Sequence, residues 1–250
     1  MTLGKIYADE ILHRIHLILK NSEKQLLLAS KCLSERIVDG RLIYAIGTGA
    51  HSYMAVEELF YRAGGLANIY PLLDTHHCLS AGLENSLKIE RDNDYGPQLI
   101  KEHNIGKEDV VIVYNTYGVN SLTISVAQSI RNVEGLIIAI TSPSISKSIP
   151  LNHPSRHISG KNLCDISDIT IDIFTPPGDA VLEFEKFPVK VSSISTILMS
   201  FTINWLIAET VNEILCKDRI PDVWKSNYLT DAEKHNDPII EKYKNKIRFM

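Results

Sequence analysis

The first forty residues carry apolar side chains at helical spacing. These side chains recur every three or four positions, at Tyr7, Ile11, Ile15 and Ile18 and then at Leu26, Ala29, Leu33 and Ile37. Between the two sets, Ser22–Gln25 has the form of a capping box, and Gly40 follows as a helix terminator. The pattern predicts two helices in an N-terminal helical extension, residues 1–40.

After Gly40 the pattern changes to short runs of Ile, Val and Leu. Five runs predict strands, at Arg41–Ile46, Ala67–Leu73, Asp109–Tyr114, Gly135–Ile140 and Asp168–Ile173. Runs that are apolar throughout are typical of strands buried on both faces of a parallel sheet. Helical patterns separate or follow them, at Ser52–Arg62, Tyr95–His103, Ser121–Arg131 and Ser193–Cys216. This alternation predicts a doubly wound α/β domain with a five-stranded sheet over residues 41–217.

Two long connections and a polar C-terminal part complete the chain. Residues 142–167 and 174–191 contain Pro, Ser and Gly, and we interpret them as loops of a length that is often functional. Residues 218–250 are polar and end in a Lys/Tyr-rich helical pattern, which predicts a C-terminal helical arm.

Composition narrows the classes of ligand and partner. Of the 250 residues 44% are apolar, and the formal net charge is −4. Lysine and arginine are scattered, so no nucleic-acid-binding surface is predicted. The four cysteines form no closely spaced pair, and no apolar run reaches the length of a membrane span. We therefore expect a cytoplasmic protein that binds a small soluble ligand and no membrane.

The turn after the first predicted strand is a candidate anion site, because ligands of open parallel sheets bind beyond the carboxyl ends of the strands. This segment, turn one (Gly47–Ser52), enters a helix. Its candidate ligand residues are Gly47, Thr48, Gly49, His51 and Ser52. Glycine permits close backbone approach, and free N–H groups at a helix start attract anions. Tight packing of strand on helix explains the same glycines, and no Walker Lys-Ser or Lys-Thr follows.

A second turn of similar character follows the third predicted strand. This segment, turn two (Asn115–Asn120), also precedes a helix. Its candidate ligand residues are Asn115, Thr116, Tyr117, Gly118 and Asn120. Small hydrogen-bonding side chains at a helix entrance suit phosphate oxygens, although Asn120 would serve equally as an ordinary helix cap. Two such turns at one sheet edge favour a phosphorylated ligand.

Four stretches carry a more specific pattern: Glu57–Gly65, Ser155–Lys161, Pro177–Val181 and Ser195–Ile197. They resemble the SIS (sugar isomerase) domain family, in its phosphosugar-binding branch related to phosphoheptose isomerases, and the likeness covers most of the chain. The resemblance implies a flavodoxin-like sheet, a sugar-phosphate ligand, and a homodimer or homotetramer with composite sites. Three positions depart from the family pattern. Ala50 is an extra residue in turn one, Tyr117 replaces a small hydroxyl residue, and Met54 stands where zinc-binding phosphoheptose isomerases have a histidine.

Two carboxylates on the helix after turn one are candidate bases. Isomerisation of an aldose phosphate to a ketose phosphate needs a base that moves a proton between C1 and C2 through an enediol. Neighbours on a helix point about 100° apart, so either Glu57 or Glu58 faces solvent. Glu58 aligns with the catalytic glutamate of the family it resembles, and is the predicted base; Glu57 is the alternative.

Further candidates lie later in the chain. His157 is a possible proton carrier and Arg156 a possible phosphate ligand, although solvated loop residues have the same appearance. Ser193, Ser195 and Thr196 open the last long helix, where they suit capping and phosphate binding equally.

The sequence predicts no cofactor. His76, His77 and Cys78 are consecutive and lack a second, suitably spaced ligand pair, so no metal site is predicted. The predicted function is sugar-phosphate isomerisation. A phosphorylated amino-sugar lyase or etherase would use the same kind of base and phosphate site, and a non-catalytic sugar-phosphate sensor would use the phosphate site alone.

Overall fold

The computed structural model describes residues 1–250 and contains a five-stranded, all-parallel sheet. Its strands are β1 (Ile43–Gly47), β2 (Ile69–Pro71), β3 (Val110–Tyr114), β4 (Leu136–Thr141) and β5 (Ile169–Asp172). The strand order β2-β1-β3-β4-β5 is that of a flavodoxin-like, doubly wound fold. The five predicted strands and the predicted fold class are confirmed, with small shifts at the strand ends.

Helices cover both faces of this sheet. They are α1 (Leu3–Val38), α2 (Tyr53–Leu59), α3 (Leu83–Glu90), α4 (Tyr95–Glu102), α5 (Ser121–Asn132), α6 (Pro143–Ser148), α7 (Leu163–Ile166), α8 (Ser195–Leu215) and α9 (Ala232–Tyr243). Successive strand residues point to opposite faces. In β3, Val110 and Ile112 therefore pack in the core with α1, α2 and α8, while Val111 and Val113 pack in a second core with α4 and α5.

One continuous helix replaces the two predicted N-terminal helices. α1 runs through the predicted capping box, because no glycine or proline interrupts residues 5–39. Ser22 is buried, and its hydroxyl donates to the Asp172 carbonyl at 2.7 Å, so this serine joins α1 to β5 instead of starting a helix. Leu26 and Leu33 lie in the same core as the strands. The division of the chain at residues 40 and 217 stays a prediction.

The two segments predicted as loops contain regular structure. Residues 142–167 include α6 and α7, and residues 174–191 overlap an antiparallel hairpin of β6 (Ala180–Phe184) and β7 (Phe187–Ser193). Most hairpin side chains are exposed, so the buried alternation that identifies a strand is missing. The prediction that Ser193 opens a helix is wrong, since this residue ends β7. α3 was not predicted either.

The C-terminal part folds back onto the domain. The backbone N–H of Trp224 donates to the Gly65 carbonyl at 2.9 Å, and the backbone N–H of Gly64 donates to the Trp224 carbonyl at 2.8 Å. Trp224 and Tyr243 pack in a small core beside β2. The predicted Lys/Tyr-rich helix is present as α9. No helix in the chain combines the length and apolar character needed to cross a membrane.

Candidate active site at the carboxyl edge of the sheet

Turns one and two meet where the strand order of the sheet reverses. β1 and β3 are neighbours, so the turns that follow them leave the sheet side by side. The Thr48 carbonyl accepts hydrogen bonds from the side-chain nitrogens of Asn115 at 2.6 Å and Asn120 at 3.0 Å. Turns one and two are therefore held together by these two hydrogen bonds.

Turn one is too tight for any residue but glycine at its start. A Cβ at Gly47 would lie 1.8 Å from the Ser52 carbonyl oxygen. Thr48 is fully buried, with its hydroxyl 2.6 Å from that of Thr123, whereas His51 is exposed. The Thr48 side chain therefore fixes the turn from inside, and a ligand at this turn would meet its backbone.

Turn two is ordered by its own first residue. Asn115 Oδ1 accepts from the Gly118 N–H at 2.7 Å and the Tyr117 N–H at 3.2 Å. Gly118 has a φ of +59°, and a Cβ there would lie 2.8 Å from the Thr141 hydroxyl, so both conformation and space require glycine. The Thr116 hydroxyl lies 3.0 Å from that of Tyr114.

The start of α5 lies beside turn two. Asn120 caps this helix, because its side chain accepts from the Thr123 N–H at 2.8 Å and its carbonyl from the Ile124 N–H at 3.1 Å. The antiparallel bridge between Asn120 and Arg156 turns the Ser121 N–H toward the Ser155 carbonyl, so within the first turn of α5 the Leu122 N–H is left without a partner. It lies at the positive end of a 12-residue helix, where an anion is stabilised.

His157 lies against turn two, as its N–H donates to the Val119 carbonyl at 2.9 Å. Its Nδ1 accepts from the Ser159 N–H at 3.1 Å, so the neutral ring carries its proton on Nε2. Burial lowers the pKa of His157, which favours this neutral form near pH 7. His157 is thus placed to donate a hydrogen bond through Nε2.

Arg156 serves the backbone of its own connection. Its guanidinium donates to four acceptors, which are the carbonyls of Ser146, Ile149 and Gly160 and the Asn162 side chain, at 2.6–3.0 Å. Arg156 is buried, and only its Nε lacks a partner. These hydrogen bonds hold residues 146–162 together. Phosphate binding by Arg156 stays a prediction, and the Nε–H is the one group of its guanidinium left to donate to a phosphate.

A carboxylate already occupies the start of α8. Asp179 Oδ1 accepts from the N–H groups of Ser195 at 2.7 Å and Ile194 at 3.1 Å, and Oδ2 accepts from the Ser195 hydroxyl at 2.6 Å. Phosphate binding by Ser195 would therefore require Asp179 to move. Ser193 lies outside the helix, and Thr196 faces the groove described next.

Glu58 lies beside a groove along α8, and Glu57 is exposed to solvent. Glu58 Oε1 accepts from Asn204 Nδ2 at 2.8 Å and lies 3.4 Å from the Arg62 Nε. The groove, here the α8 groove, has a volume of about 630 Å³ and is lined by Leu19, Thr196, Ile197, Ser200, Phe201, Asn204 and Trp205. The structure thus gives Glu58, but not Glu57, a fixed orientation.

Asn204 was missed in the sequence, although a signal was present. Thr196, Ser200 and Asn204 are four residues apart, which places them on one face of a helix that is otherwise largely apolar. This polar stripe leads from the start of α8 to Glu58. The Tyr114 side chain lies near Ser195, the residue before Thr196, so the stripe begins close to turn two.

A second missed residue is Glu90, the last residue of α3. Its Oε1 accepts from the Ala50 N–H in turn one at 2.7 Å. A Cβ at Gly49 would lie 3.4 Å from this oxygen, 3.2 Å from the Ser52 hydroxyl and 3.1 Å from Asn115 Nδ2. Since α3 itself was not predicted, nothing in the sequence placed this carboxylate at the site.

His77 supports turn one from behind. It is fully buried, and its Nε2 donates to the Gly47 carbonyl at 3.0 Å. Burial by itself would raise the pKa of Asp74, but hydrogen bonds from Tyr95 and from the His76 ring and N–H outweigh this effect and hold that pKa well below its usual range. His76 and His77 thus form a hydrogen-bonded support, and the chain contains no cluster of three metal-ligating side chains.

Comparison with known proteins agrees with this architecture. The family model of the SIS domain matches residues 6–142, more than half of the chain. The chain belongs to the SIS domain family. UPF0309 proteins of Geobacillus sp. strain WCH70 and Listeria innocua are 36% and 35% identical to it, each over 98% of this chain and 97% of the relative. The SIS family resemblance noted in the sequence is therefore confirmed.

Solved structures of two phosphoheptose isomerases share the SIS fold of this chain. The protein from Neisseria gonorrhoeae has a TM-score of 0.53 at 16% identity, with coverage of 87% of this chain and 99% of that one. The protein from Francisella tularensis has a TM-score of 0.51 at 14% identity, with coverage of 86% and 99%. At these identities the likeness concerns the fold alone.

Proposed function

We propose that this SIS domain binds a phosphorylated sugar or amino sugar and interconverts its aldose and ketose forms through an enediol. The observation that carries the proposal is the junction of turns one and two beside the start of α5. The phosphoheptose isomerases with the same fold support the substrate class.

Charge favours turn two over turn one as the phosphate site. The Leu122 N–H lies at the start of α5, where it can donate to a phosphate oxygen. Turn one, by contrast, already holds the Glu90 carboxylate, which repels a second anion. The phosphate therefore binds between turn two and α5, and the remainder of the sugar extends over turn one and the head of the α8 groove.

Glu58 supplies the base in this proposal. Its carboxylate takes the proton from C2 of the aldose form while the C1 carbonyl oxygen takes up a proton from water, which gives the enediol. Glu58 then returns its proton to C1 while the O2 hydroxyl releases its proton to water, which gives the ketose. Asn204 orients Glu58 through its amide hydrogen bond. His157, which is neutral with a proton on Nε2, donates to an oxygen of the ligand.

A thermal-shift panel tests the binding step. At a ligand concentration of about 100 Kd, binding stabilises the folded state by about 2.7 kcal/mol. We expect Tm to rise by roughly 5–10 °C with the cognate sugar phosphate. The corresponding sugars without phosphate should leave Tm unchanged, because the α5 contacts need an anion. Equal shifts for both sets of sugars would overturn the phosphate assignment.

We also propose that a second copy of the chain covers the α8 groove, as the family resemblance implies. Leu19 and Ile197, which line the groove, are exposed, and so is Leu12 two turns earlier on α1, so both α1 and α8 present apolar surface. Light scattering is expected to give at least twice the 28.1 kDa mass of one chain.

A matched pair of variants locates the interface. Ile197→Glu on α8 and Leu87→Glu on α3 introduce the same charge at positions that are 39% and 41% exposed. We expect Ile197→Glu to shift the protein to monomer, whereas Leu87→Glu leaves the mass unchanged. A monomeric wild type at micromolar concentration, or a dimer that survives Ile197→Glu, would contradict the proposed interface.

A further inference from the structure

The carboxylate of Glu90 lies at turn one. It has no part in the proton transfer proposed for Glu58. One oxygen, Oε1, accepts the Ala50 N–H at 2.7 Å. The other, Oε2, has no partner within the chain and is not among the buried unpaired atoms, so it is open to solvent. The carboxylate therefore has one oxygen fixed on the turn and a second one free to accept a hydrogen bond.

The surroundings of Gly49 show how close this carboxylate is to turn two. A Cβ at Gly49 would be 3.4 Å from Glu90 Oε1 on one side and 3.1 Å from Asn115 Nδ2 on another. Asn115 is the residue whose side chain orders turn two. A ligand whose phosphate is held at turn two would thus place its next few atoms within reach of Glu90.

An ionised carboxylate only accepts hydrogen bonds, so it favours hydroxyl and ammonium groups and disfavours phosphate. We propose that Glu90 binds the hydroxyl or amine groups of the ligand where it crosses turn one and thereby fixes its direction, with the phosphate toward α5 and the rest of the sugar toward the head of the α8 groove. This inference rests on the proposed function, and it makes Glu90 a residue that determines specificity.

The conservative variant Glu90→Gln separates this role from a structural one. Glutamine keeps an acceptor for the Ala50 N–H, so a purely structural residue would tolerate the change. Loss of the charge weakens each hydrogen bond that the carboxylate accepts from the ligand. Glu84→Gln is the matched control, because Glu84 lies in the first turn of the same helix and is exposed.

The experiment is isothermal titration of the wild type and both variants with inorganic phosphate, fructose 6-phosphate, glucose 6-phosphate and glucosamine 6-phosphate. For the sugar phosphate that binds the wild type most tightly, we expect Glu90→Gln to raise Kd about 10- to 100-fold. The Kd for inorganic phosphate should stay the same or fall, since a negative charge beside the site is removed. Glu84→Gln should match the wild type, and Tm should be unchanged in both variants.

Two results distinguish a failure of this inference from a failure of the proposed function. If sugar phosphates bind Glu90→Gln as tightly as Glu84→Gln, or if inorganic phosphate is weakened as much as the sugar phosphates, the role of Glu90 is overturned while the proposed function stands. If the wild type binds inorganic phosphate but none of the sugar phosphates, the proposed function itself is overturned, and the role of Glu90 with it.

Discussion

Glu58→Gln is expected to lower kcat for the cognate sugar phosphate by about 10²- to 10⁴-fold, while Kd changes by no more than a few-fold. Glutamine retains the shape of the side chain and an acceptor for Asn204 Nδ2, which lies 2.8 Å from Glu58 Oε1. The substitution removes the basic carboxylate, so it raises the energy of the proton-transfer transition state far more than that of the bound substrate. Steady-state kinetics together with titration calorimetry measure the two effects separately.

Glu57→Gln is the control for this experiment. Glu57 precedes Glu58 on the same helix but is exposed and makes no hydrogen bond across to α8. Its substitution should leave kcat within about two-fold, since an exposed side chain of this kind does not reach the groove. Should Glu57→Gln be inactive and Glu58→Gln active, the roles of the two residues would be exchanged. Full activity in both variants would exclude the carboxylate-base mechanism.

Gly47→Ala is expected to have the largest effect on folding and binding together. The added Cβ would lie 1.8 Å from the Ser52 carbonyl oxygen and 2.8 Å from the Tyr53 N, and both are backbone atoms that cannot rotate away. Overpacking of this kind costs about 3 kcal/mol or more, and we expect Tm to fall by roughly 6–12 °C. Sugar-phosphate binding should be lost in the fraction that folds, because turn one must open to admit the methyl group.

Gly106→Ala is a suitable control, because no atom lies within 4 Å of the added Cβ and the backbone there is not in the left-handed region. Its Tm and its sugar-phosphate affinity should match those of the wild type. Thermal denaturation followed by circular dichroism, with titration of the folded protein, gives both quantities. A Gly47→Ala protein with wild-type Tm and affinity would show that turn one is not rigid, and the site geometry would have to be revised.

The parts of this molecule that sequence predicts are those governed by local rules. β3 is apolar at every position because both of its faces are buried, so its run of Val and Ile was sufficient to identify it. Gly47 and Gly118 were informative for a similar reason, since their backbones leave no room for a side chain. The turns at the sheet edge could therefore be placed before the structure was known.

The parts that were missed depend on contacts between distant segments. Ser22 has the local pattern of a helix cap, yet its partner is a carbonyl 150 residues away. Asp179 fills the start of α8 across a 16-residue separation, and Glu90 reaches turn one from a helix that sequence did not reveal. Hydrogen bonds of this range leave no periodic signal, so only tertiary structure shows which polar groups are already occupied and which are free.

The length of α1 lets one helix contact two separate points of the ligand-binding edge. A helix of 36 residues extends about 54 Å. Along that length Tyr7 bonds the Ser193 carbonyl just before α8, and Ser22 bonds the Asp172 carbonyl at the end of β5. A subunit that docks on the outer face of α1 would thus contact a single helix that is hydrogen-bonded at two points to the ligand-binding edge. Such docking would fix the position of α1 and, with it, the alignment of the site.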